Sequence, residues 1–321
     1  MSDKNGRPST SFVESVAGFT AGVVTTLCLH PLDLIKTRLQ VDRVSPSRVG
    51  SSLRIIRSIY LSEGGLAAFY RGLVPNLVGN SSSWAIYFLF YGNIKDAIRS
   101  VRAATITNND DSTTTKARHL GASEYFVASG TAGLLTAVLT NPIWVIKTRM
   151  LSTGARTPGA YPSFISGARH ILQSEGLRGF YRGLTPALFG VSHGAFQFMA
   201  YEQLKLYRLS SASTSSTTTT AANRQLDNLD FFIISGLSKI FAVAITYPYQ
   251  VLRTRLQSYD ASAVYRSLGD AVRQIWRNEG VAGFYKGLGP SIVRVLPSTW
   301  VTFLVYENTK KALPSITGSA G

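Results

Sequence analysis

The sequence predicts an all-α membrane protein of six transmembrane helices. They form three tandem helix–short helix–helix repeats, arranged as a pseudo-three-fold barrel. Three observations lead there: long stretches free of charge, a motif that occurs three times, and a strongly basic composition that is nonetheless poor in charge. The 321 residues carry 33 Lys and Arg against 17 Asp and Glu, a net charge of +16. Only 16% of residues are charged, where a soluble domain carries about 25%. The charges must therefore be concentrated in few places, which argues against a solvated nucleic-acid binder.

Residues 15–32, 72–94, 125–146 and 183–201 hold no formal charge. Residues 231–252 hold one, Lys239, and residues 287–306 hold one, Arg294. Each of the six stretches is near the ~20 residues that span a bilayer as a helix. Ser, Thr and Gly dilute them, and the mean hydropathy is +0.10. Such helices suit the lining of a wet cavity better than contact with lipid on every side. Residues 1–11 lack the apolar core of a secretory signal. The Ser/Thr/Asn-rich stretches 105–115 and 210–223 cannot build a core and are expected to be exposed linkers.

The chain repeats. Pro31-Leu-Asp-Leu-Ile-Lys36-Thr-Arg38 recurs as Pro142-Ile-Trp-Val-Ile-Lys147-Thr-Arg149 and as Pro248-Tyr-Gln-Val-Leu-Arg253-Thr-Arg255. A second motif follows each copy: Phe69-Tyr-Arg-Gly72, Phe180-Tyr-Arg-Gly183 and Phe284-Tyr-Lys-Gly287. Each unit ends on an aromatic and a lysine, Tyr91 with Lys95, Tyr201 with Lys205, and Tyr306 with Lys310. Between the two motifs, apolar residues at helical spacing predict short amphipathic helices near 52–61, 164–174 and 268–278. The boundaries expected are a tail 1–11, repeats 12–100, 121–208 and 227–313, linkers 101–120 and 209–226, and a tail 314–321. Proline inside the first helix of each repeat should kink it, so that three tilted helices converge at one end.

Proline, an acid two residues on and bases five and seven on, tripled at about 100 residues, resembles the mitochondrial carrier family. The resemblance covers roughly residues 12–312. It implies a monomeric, multi-pass protein of the mitochondrial inner membrane that alternates between states open to either side. It also implies two gates. On the matrix side the acid of one repeat pairs with the base of the next. The acid places are Asp33, Trp144 and Gln250, and the base places Lys36, Lys147 and Arg253. Only Asp33–Lys147 can be an ion pair; Trp144 facing Arg253 offers a cation–π contact worth ~0.5–2 kcal/mol, and Gln250 facing Lys36 a hydrogen bond. On the cytoplasmic side the acid places are Gly92, Glu202 and Glu307 and the bases Lys95, Lys205 and Lys310. That leaves the pairs Lys95–Glu202 and Lys205–Glu307, with i,i+3 pairing inside one helix as the alternative. Anionic lipid such as cardiolipin is expected at Arg71-Gly72, Arg182-Gly183 and Lys286-Gly287, where cations sit beside helix ends.

A small substrate is not three-fold symmetric, so its contacts should lie where the repeats differ. Nine residues before the motif proline stand Gly22, Gly133 and Lys239. Ten residues after the Phe of the second motif stand Gly79, Gly190 and Arg294. Two repeats keep glycine and the third carries a cation, which in a membrane helix usually faces a cavity or a partner. Asn76, Asn80, Ser83 and Tyr87 share one helical face, as do His193, Gln197 and Tyr201, and Arg294, Ser298 and Thr302; helix–helix hydrogen bonding is the alternative for each stripe. Trp84 adds a flat aromatic surface. The predicted substrate-binding set is Arg294, Lys239, Asn80, Trp84, Tyr87, His193 and Gln197.

Two cations, amides and rings suit an anionic, planar-ringed ligand, since Arg holds phosphate or carboxylate bidentately. The single cysteine, Cys28, and four scattered histidines exclude a disulfide framework and offer no metal site. No phosphate-binding glycine loop or nucleophile–base motif is present, so catalysis lacks its parts. Trp144 resembles the family branch that carries nucleotide-like cofactors. The stretches 77–88, 140–149, 186–195 and 294–299 resemble its flavin and folate carriers. FAD, as a transported substrate and not a resident cofactor, is the substrate implied, with folate, NAD or a pyrimidine nucleotide as alternatives. A non-transporting scaffold on the same fold is the rival of another class.

Overall fold

A computed structural model describes residues 10–43, 50–105, 121–154, 160–213 and 228–318. Most of both predicted linkers lies outside the described residues. Among the described residues every regular element is helical. The first repeat comprises α1 (Thr10–Val41), α2 (Gly50–Glu63), a 3-10 turn (Gly65–Tyr70) and α3 (Leu73–Thr105). The second has α4 (Ala122–Ser152), α5 (Phe164–Gly179), α6 (Leu184–Phe189) and α7 (Ser192–Ser213). The third has α8 (Asn228–Gln257), a single turn (Ala261–Val264), α9 (Leu268–Gly283) and α10 (Leu288–Gly318). The long helices overrun the predicted repeat ends: α3 continues to Thr105, α7 to Ser213 and α10 to Gly318. The Val-Arg-Ala-Ala run after Ser100 has good helix propensity, which explains the first of these.

Local sequence sets the starts and breaks. Ser163 Oγ accepts the backbone N–H of Ser166, and Ser267 Oγ that of Asp270, capping α5 and α9 (both 3.2 Å). The fourth long element is interrupted between α6 and α7. Val191 N bonds to Leu188 O and His193 N to Gly190 O, both 3.1 Å, the i→i+3 pattern of a tightened turn. Pro31, Pro142 and Pro248 lie inside unbroken helices.

Among the described residues, four spans have the length and hydropathy of membrane-crossing helices: Val16–Val41, Ser123–Ser152, Asp230–Gln257 and Leu288–Ala312. The sequence predicted six charge-poor spans diluted by Gly, Ser and Thr, and two of them, α3 and α6–α7, fall short of that hydropathy. Asn76, Asn80 and Ser81–Ser83 dilute the former, and Gly, Ser, His and Gln the latter. Helices of different repeats pack side by side, α1 with α10, α3 with α4, and α7 with α8. Contacts within each repeat complete the ring, and α1, α4 and α8 also touch one another.

The apolar core is three separate clusters near the ends of α1, α4 and α8. Leu34, Leu39, Ile59 and Phe69 form one; Val145, Met150, Tyr161 and Ile171 the second; Leu252, Leu256, Tyr265 and Ile275 the third. Elsewhere large apolar side chains such as Phe88, Phe198, Trp300 and Leu304 are exposed, as an outer face meant for lipid would be.

An arginine–glutamate clamp fixes each short helix beneath its long one. Arg38 donates from Nη1 and Nη2 to Glu63 (2.9 and 3.0 Å), Arg149 from Nη1 to Glu175 (2.6 Å), and Arg255 from both Nη atoms to Glu279. Lys286 Nζ adds a second cation to Glu279 at 2.7 Å. Each Glu precedes a glycine with positive φ: Gly64 (119°), Gly176 (66°) and Gly280 (64°). Burial alone would raise the Glu279 pKa, but the bonds from Arg255 and Lys286 outweigh it and hold the carboxyl below its usual range. A carboxylate lowered on folding adds stability above its unfolded pKa and loses it as pH falls through the folded value.

Two expectations follow. Glu279→Gln leaves two buried cations short of a counter-charge and should cost about 3–5 kcal/mol at pH 7. In melts from pH 7 down through the lowered Glu279 pKa, the gap from wild type should narrow. At Gly287, φ is 85° and an added Cβ would lie 2.9 Å from Tyr247 Oη and 3.1 Å from the backbone O of Lys36. Gly287→Ala should therefore cost at least about 1–2 kcal/mol, read as a lower melting temperature in detergent.

Candidate functional site

The ends of α1, α4 and α8 enclose a chamber of ≈220 Å³ lined by Asp33, Lys36, Trp144, Lys147, Arg253 and Arg294, among others. It holds one carboxylate and four cations. Lys36 Nζ donates to Gln250 Oε1 at 2.9 Å. Arg253 lies over the Trp144 ring, 5.6 Å from its centroid. Lys147 takes the same ring at 4.7 Å. Trp144 Nε1 donates to Ser83 Oγ at 3.3 Å, which ties the ring to α3.

Asp33 does not pair with Lys147 as the sequence predicted. Its Oδ1 lies 2.8 Å from Arg294 Nη1, and it forms no ion pair with Lys147. The motif spacing identifies equivalent places on equivalent helices, but Arg294 reaches the chamber from α10, which packs along α1. Asn76 orients the carboxylate from its other side, with Nδ2 3.5 Å from Asp33 Oδ2 and 3.2 Å from His30 Nδ1. His30 Nε2 lies 2.9 Å from Arg71 O. A carbonyl can only accept, so Nε2 carries the proton and Nδ1 accepts from Asn76.

Below the charges lies a second layer. Gln40 Oε1 accepts from Thr254 Oγ1 (2.8 Å), and its Nε2 donates to Tyr247 Oη (3.1 Å). Gln257 Oε1 accepts from Thr148 Oγ1 (3.1 Å), and its Nε2 donates to Asn141 Oδ1 (3.2 Å). These ties join α1 to α8 and α4 to α8. Sequence reasoning missed Gln40 and Gln257, although both stand nine residues after their motif proline. Leu151 fills the third place and packs in the first repeat's cluster.

Above the chamber lie two cavities that share Thr302. One, of ≈880 Å³, is lined by Gly22, Thr26, Asn80, Trp84 and Phe88 among others. The other, of ≈500 Å³, is lined by Lys239, Ser298, Thr299, Phe303 and Tyr306. Trp84 stacks on Phe88 with centroids 5.6 Å apart and meets Tyr87 edge-on at 6.1 Å. Tyr87 stacks on Tyr91 at 5.8 Å.

The structure thus joins Asn80 with Trp84 and sets Lys239 in the adjoining cavity. Arg294, which the sequence reading had combined with Lys239 in one site, lines the chamber and not this cavity. His193 and Gln197 line neither cavity. His193 Nδ1 lies 3.0 Å from Thr246 Oγ1, a bond between α7 and α8, and this matches the helix–helix alternative. Arg253 Nε and Arg294 Nε are buried with no hydrogen-bond partner among the described residues.

The other end of the ring differs. Neither Lys95–Glu202 nor Lys205–Glu307 forms an ion pair. Lys95 lies over the Tyr91 ring at 4.4 Å and Lys310 over Tyr306 at 5.7 Å. The structure is closed at the end of α1, α4 and α8, with the opposite pairs apart. The residues expected to meet lipid also have protein partners. Arg71 Nε donates to Met150 O (2.9 Å) and Nη2 to Tyr161 O (3.2 Å). Arg182 Nε lies 2.7 Å from Glu175. Lys286 is buried and donates to Asp42 O at 2.8 Å, so its charge points inward. Gly72, Gly183 and Gly287 all have positive φ (76°, 69° and 85°). No group of three or more His, Cys, Asp or Glu able to hold a metal occurs among the described residues.

Comparison with known proteins agrees with this architecture. The family described as "Mitochondrial carrier protein" matches residues 7–102, 118–211 and 224–316. A mitochondrial FAD carrier protein of Saccharomyces cerevisiae is 39% identical over 312 residues, 94% of this chain and 96% of that protein. Nicotinamide adenine dinucleotide transporter 2, mitochondrial, of Arabidopsis thaliana is 35% identical over 302 residues, 91% of this chain and 77% of that one. Folate transporter 1, chloroplastic, of the same plant is 34% identical over 307 residues, 93% and 94% of the two chains. With three matched repeats, relatives that align over nearly their whole length and an all-helical ring, the chain belongs to the mitochondrial carrier family of membrane transporters.

Proposed function

We propose that the protein moves FAD across the mitochondrial inner membrane by alternating access. The observation that carries this is the chamber where one carboxylate, Asp33, stands against Lys36, Lys147, Arg253 and Arg294. Like charges crowded out of water are costly, so the chamber favours an incoming anion. The cavities above it supply Lys239 and the Trp84–Phe88 surface. A dinucleotide's diphosphate suits the cations and its ring systems the aromatics. The identity to the yeast FAD carrier, 39% against 34–35% for the folate and NAD transporters, favours FAD. Folate remains the second reading, since its carboxylates and ring suit the same groups.

The mechanism follows from Arg294. The phosphate competes with Asp33 for this guanidinium. Once Arg294 turns to the substrate, Asp33 loses its partner and α1 is no longer held to α10 at that point. The remaining links in the chamber, a cation–π contact and a single hydrogen bond, are weak, and with the exchange of the polar ties below them the matrix end opens. On the opposite side Lys95–Glu202 and Lys205–Glu307 then close. Anionic lipid, cardiolipin included, is placed by the same reading at the starts of α3, α6 and α10, where Gly72, Gly183 and Gly287 leave backbone N–H groups.

Purified protein in liposomes, offered labelled FAD, folate, NAD and UTP, tests the substrate. FAD should be taken up fastest, and uptake of another member alone would reject FAD. Arg294→Ala should abolish FAD uptake while the protein still inserts, and Arg294→Lys should restore it only in part, because an ammonium lacks the guanidinium fork. Losing a charge-assisted contact of about 1.5–3 kcal/mol lowers affinity about 10- to 150-fold. Lys239→Ala should weaken the thermal shift given by FAD more than that given by riboflavin, which has no phosphate. Equal losses would remove Lys239 from phosphate recognition.

A further inference from the structure

At the closed end the repeats tie their neighbours with two recurring bonds, except at one seam. Arg38 Nε donates to Leu151 O and Arg71 Nε to Met150 O, which joins the first repeat to the second. Arg255 Nε donates to Gln40 O and Lys286 Nζ to Asp42 O, which joins the third to the first. The corresponding residues of the second repeat, Arg149 and Arg182, do not reach the third in this way. Both turn back onto Glu175, at 2.6 and 2.7 Å. Arg149 is 1% exposed, yet its Nε and Nη2 have no hydrogen-bond partner among the described residues. Its counterparts Arg38 and Arg255 use all three nitrogens. Unmet donors on a buried guanidinium carry a desolvation cost that an acceptor would relieve.

Arg149 lines a cavity of ≈660 Å³ at this seam, away from the transport chamber. Arg178, Arg182 and His170 line it from the second repeat, and Tyr259, Asp260 and Ser262 from the third. Tyr161 and Tyr259 meet edge-on at 5.6 Å in its wall. Its two carboxylates already face cations: Glu175 accepts from Arg149 on Oε1 and stands in an ion pair with Arg182 through Oε2, which has no hydrogen-bond partner among the described residues, and Asp260 accepts from Arg43 through two bonds of 2.7 and 3.0 Å. Arg178 is exposed at the rim and has no ion pair among the described residues. The cavity is therefore positive, with buried unmet donors in its wall and a cation at its mouth.

We propose that this cavity binds a phosphate-bearing anion, at a site distinct from the transport pathway. The occupant accepts from Arg149 and Arg178 and bridges the second and third repeats where the usual ties are missing. It thereby stabilises the closed end. The recognition chemistry is shared by a soluble phosphate compound and by a phospholipid headgroup, and the test separates them.

The full-length protein is melted in detergent free of anionic lipid, at fixed ionic strength, against rising pyrophosphate, and in a second series against cardiolipin. Arg178→Ala removes the rim cation, and Ser262→Glu adds a negative charge from the opposite wall. Both positions are exposed, so neither change disturbs the Arg149–Glu175 clamp. Wild type should be stabilised saturably, and each variant should bind about 10-fold more weakly or worse. Arg273→Ala, which removes an exposed cation of α9 outside this cavity, should keep the response. Weakening in the pyrophosphate series identifies a soluble anion, whereas weakening confined to cardiolipin would assign the effect to the lipid already placed at Arg182-Gly183 and would overturn the proposal of a separate site. No stabilisation of wild type, or equal responses in wild type and both seam variants, would overturn the proposal. So would a response lost in Arg273→Ala and kept in the seam variants, which would put the anion outside this cavity. Failure of FAD uptake leaves these outcomes unaffected.

Discussion

Four cations and one carboxylate share the chamber where α1, α4 and α8 converge, and the rest of the architecture answers to that imbalance. Repulsion between unit charges a few ångströms apart is worth about 4 kcal/mol at an effective dielectric of 20. The chain offsets it without adding acids. Asp33 takes Arg294. One indole, Trp144, faces both Lys147 and Arg253. Gln250 accepts from Lys36. His30 and Asn76, both fully buried, fix the carboxylate's orientation. Only one of these contacts is an ion pair, Asp33 with Arg294, and on the proposed mechanism it is the contact that an incoming anion displaces.

The surrounding scaffold is stiffer. Each repeat locks its short helix under its long one with a buried Arg–Glu clamp. Glycines in the left-handed region let α3, α6 and α10 start close against the next repeat. Gly183, for example, has no room for a Cβ beside Gln257 and Arg253 O. The polar layer of Gln40 and Gln257 spans the same three helices beneath the charges. Rigid units joined by replaceable polar contacts are what alternating access needs: the units move and the contacts exchange. The second-to-third seam is the exception, since Arg149 and Arg182 serve only their own repeat.

Much of this was legible in the sequence, because repetition compares the chain with itself. The three units and the short helices follow from motif offsets and helical spacing, while the pairings of Trp144 with Arg253 and of Gln250 with Lys36 were implied by the resemblance to the carrier family and are found in the structure. Asp33 with Arg294 did not, since an offset locates a residue along its own helix and says nothing of the depth at which α10 passes α1. Nor could the pattern tell that His193 would spend its ring on Thr246. Glu63, Glu175 and Glu279 were within reach, each standing before a glycine 31–33 residues after its motif proline, but a Glu-Gly pair carries weight only once its arginine is seen beside it. Charge-free length gave six spans, whereas hydropathy separates four from two, because α3 and α6–α7 carry the polar groups that face inward.

The central claim is that Asp33 belongs to Arg294 and not to Lys147. Double-mutant cycles on substrate-free protein in detergent test it directly, with Asp33→Asn combined in turn with Arg294→Gln and Lys147→Gln and stability read from thermal melts. Coupling between Asp33 and Arg294 should reach about 0.5–3 kcal/mol and exceed that between Asp33 and Lys147. A larger coupling to Lys147, or none to Arg294, would contradict the account.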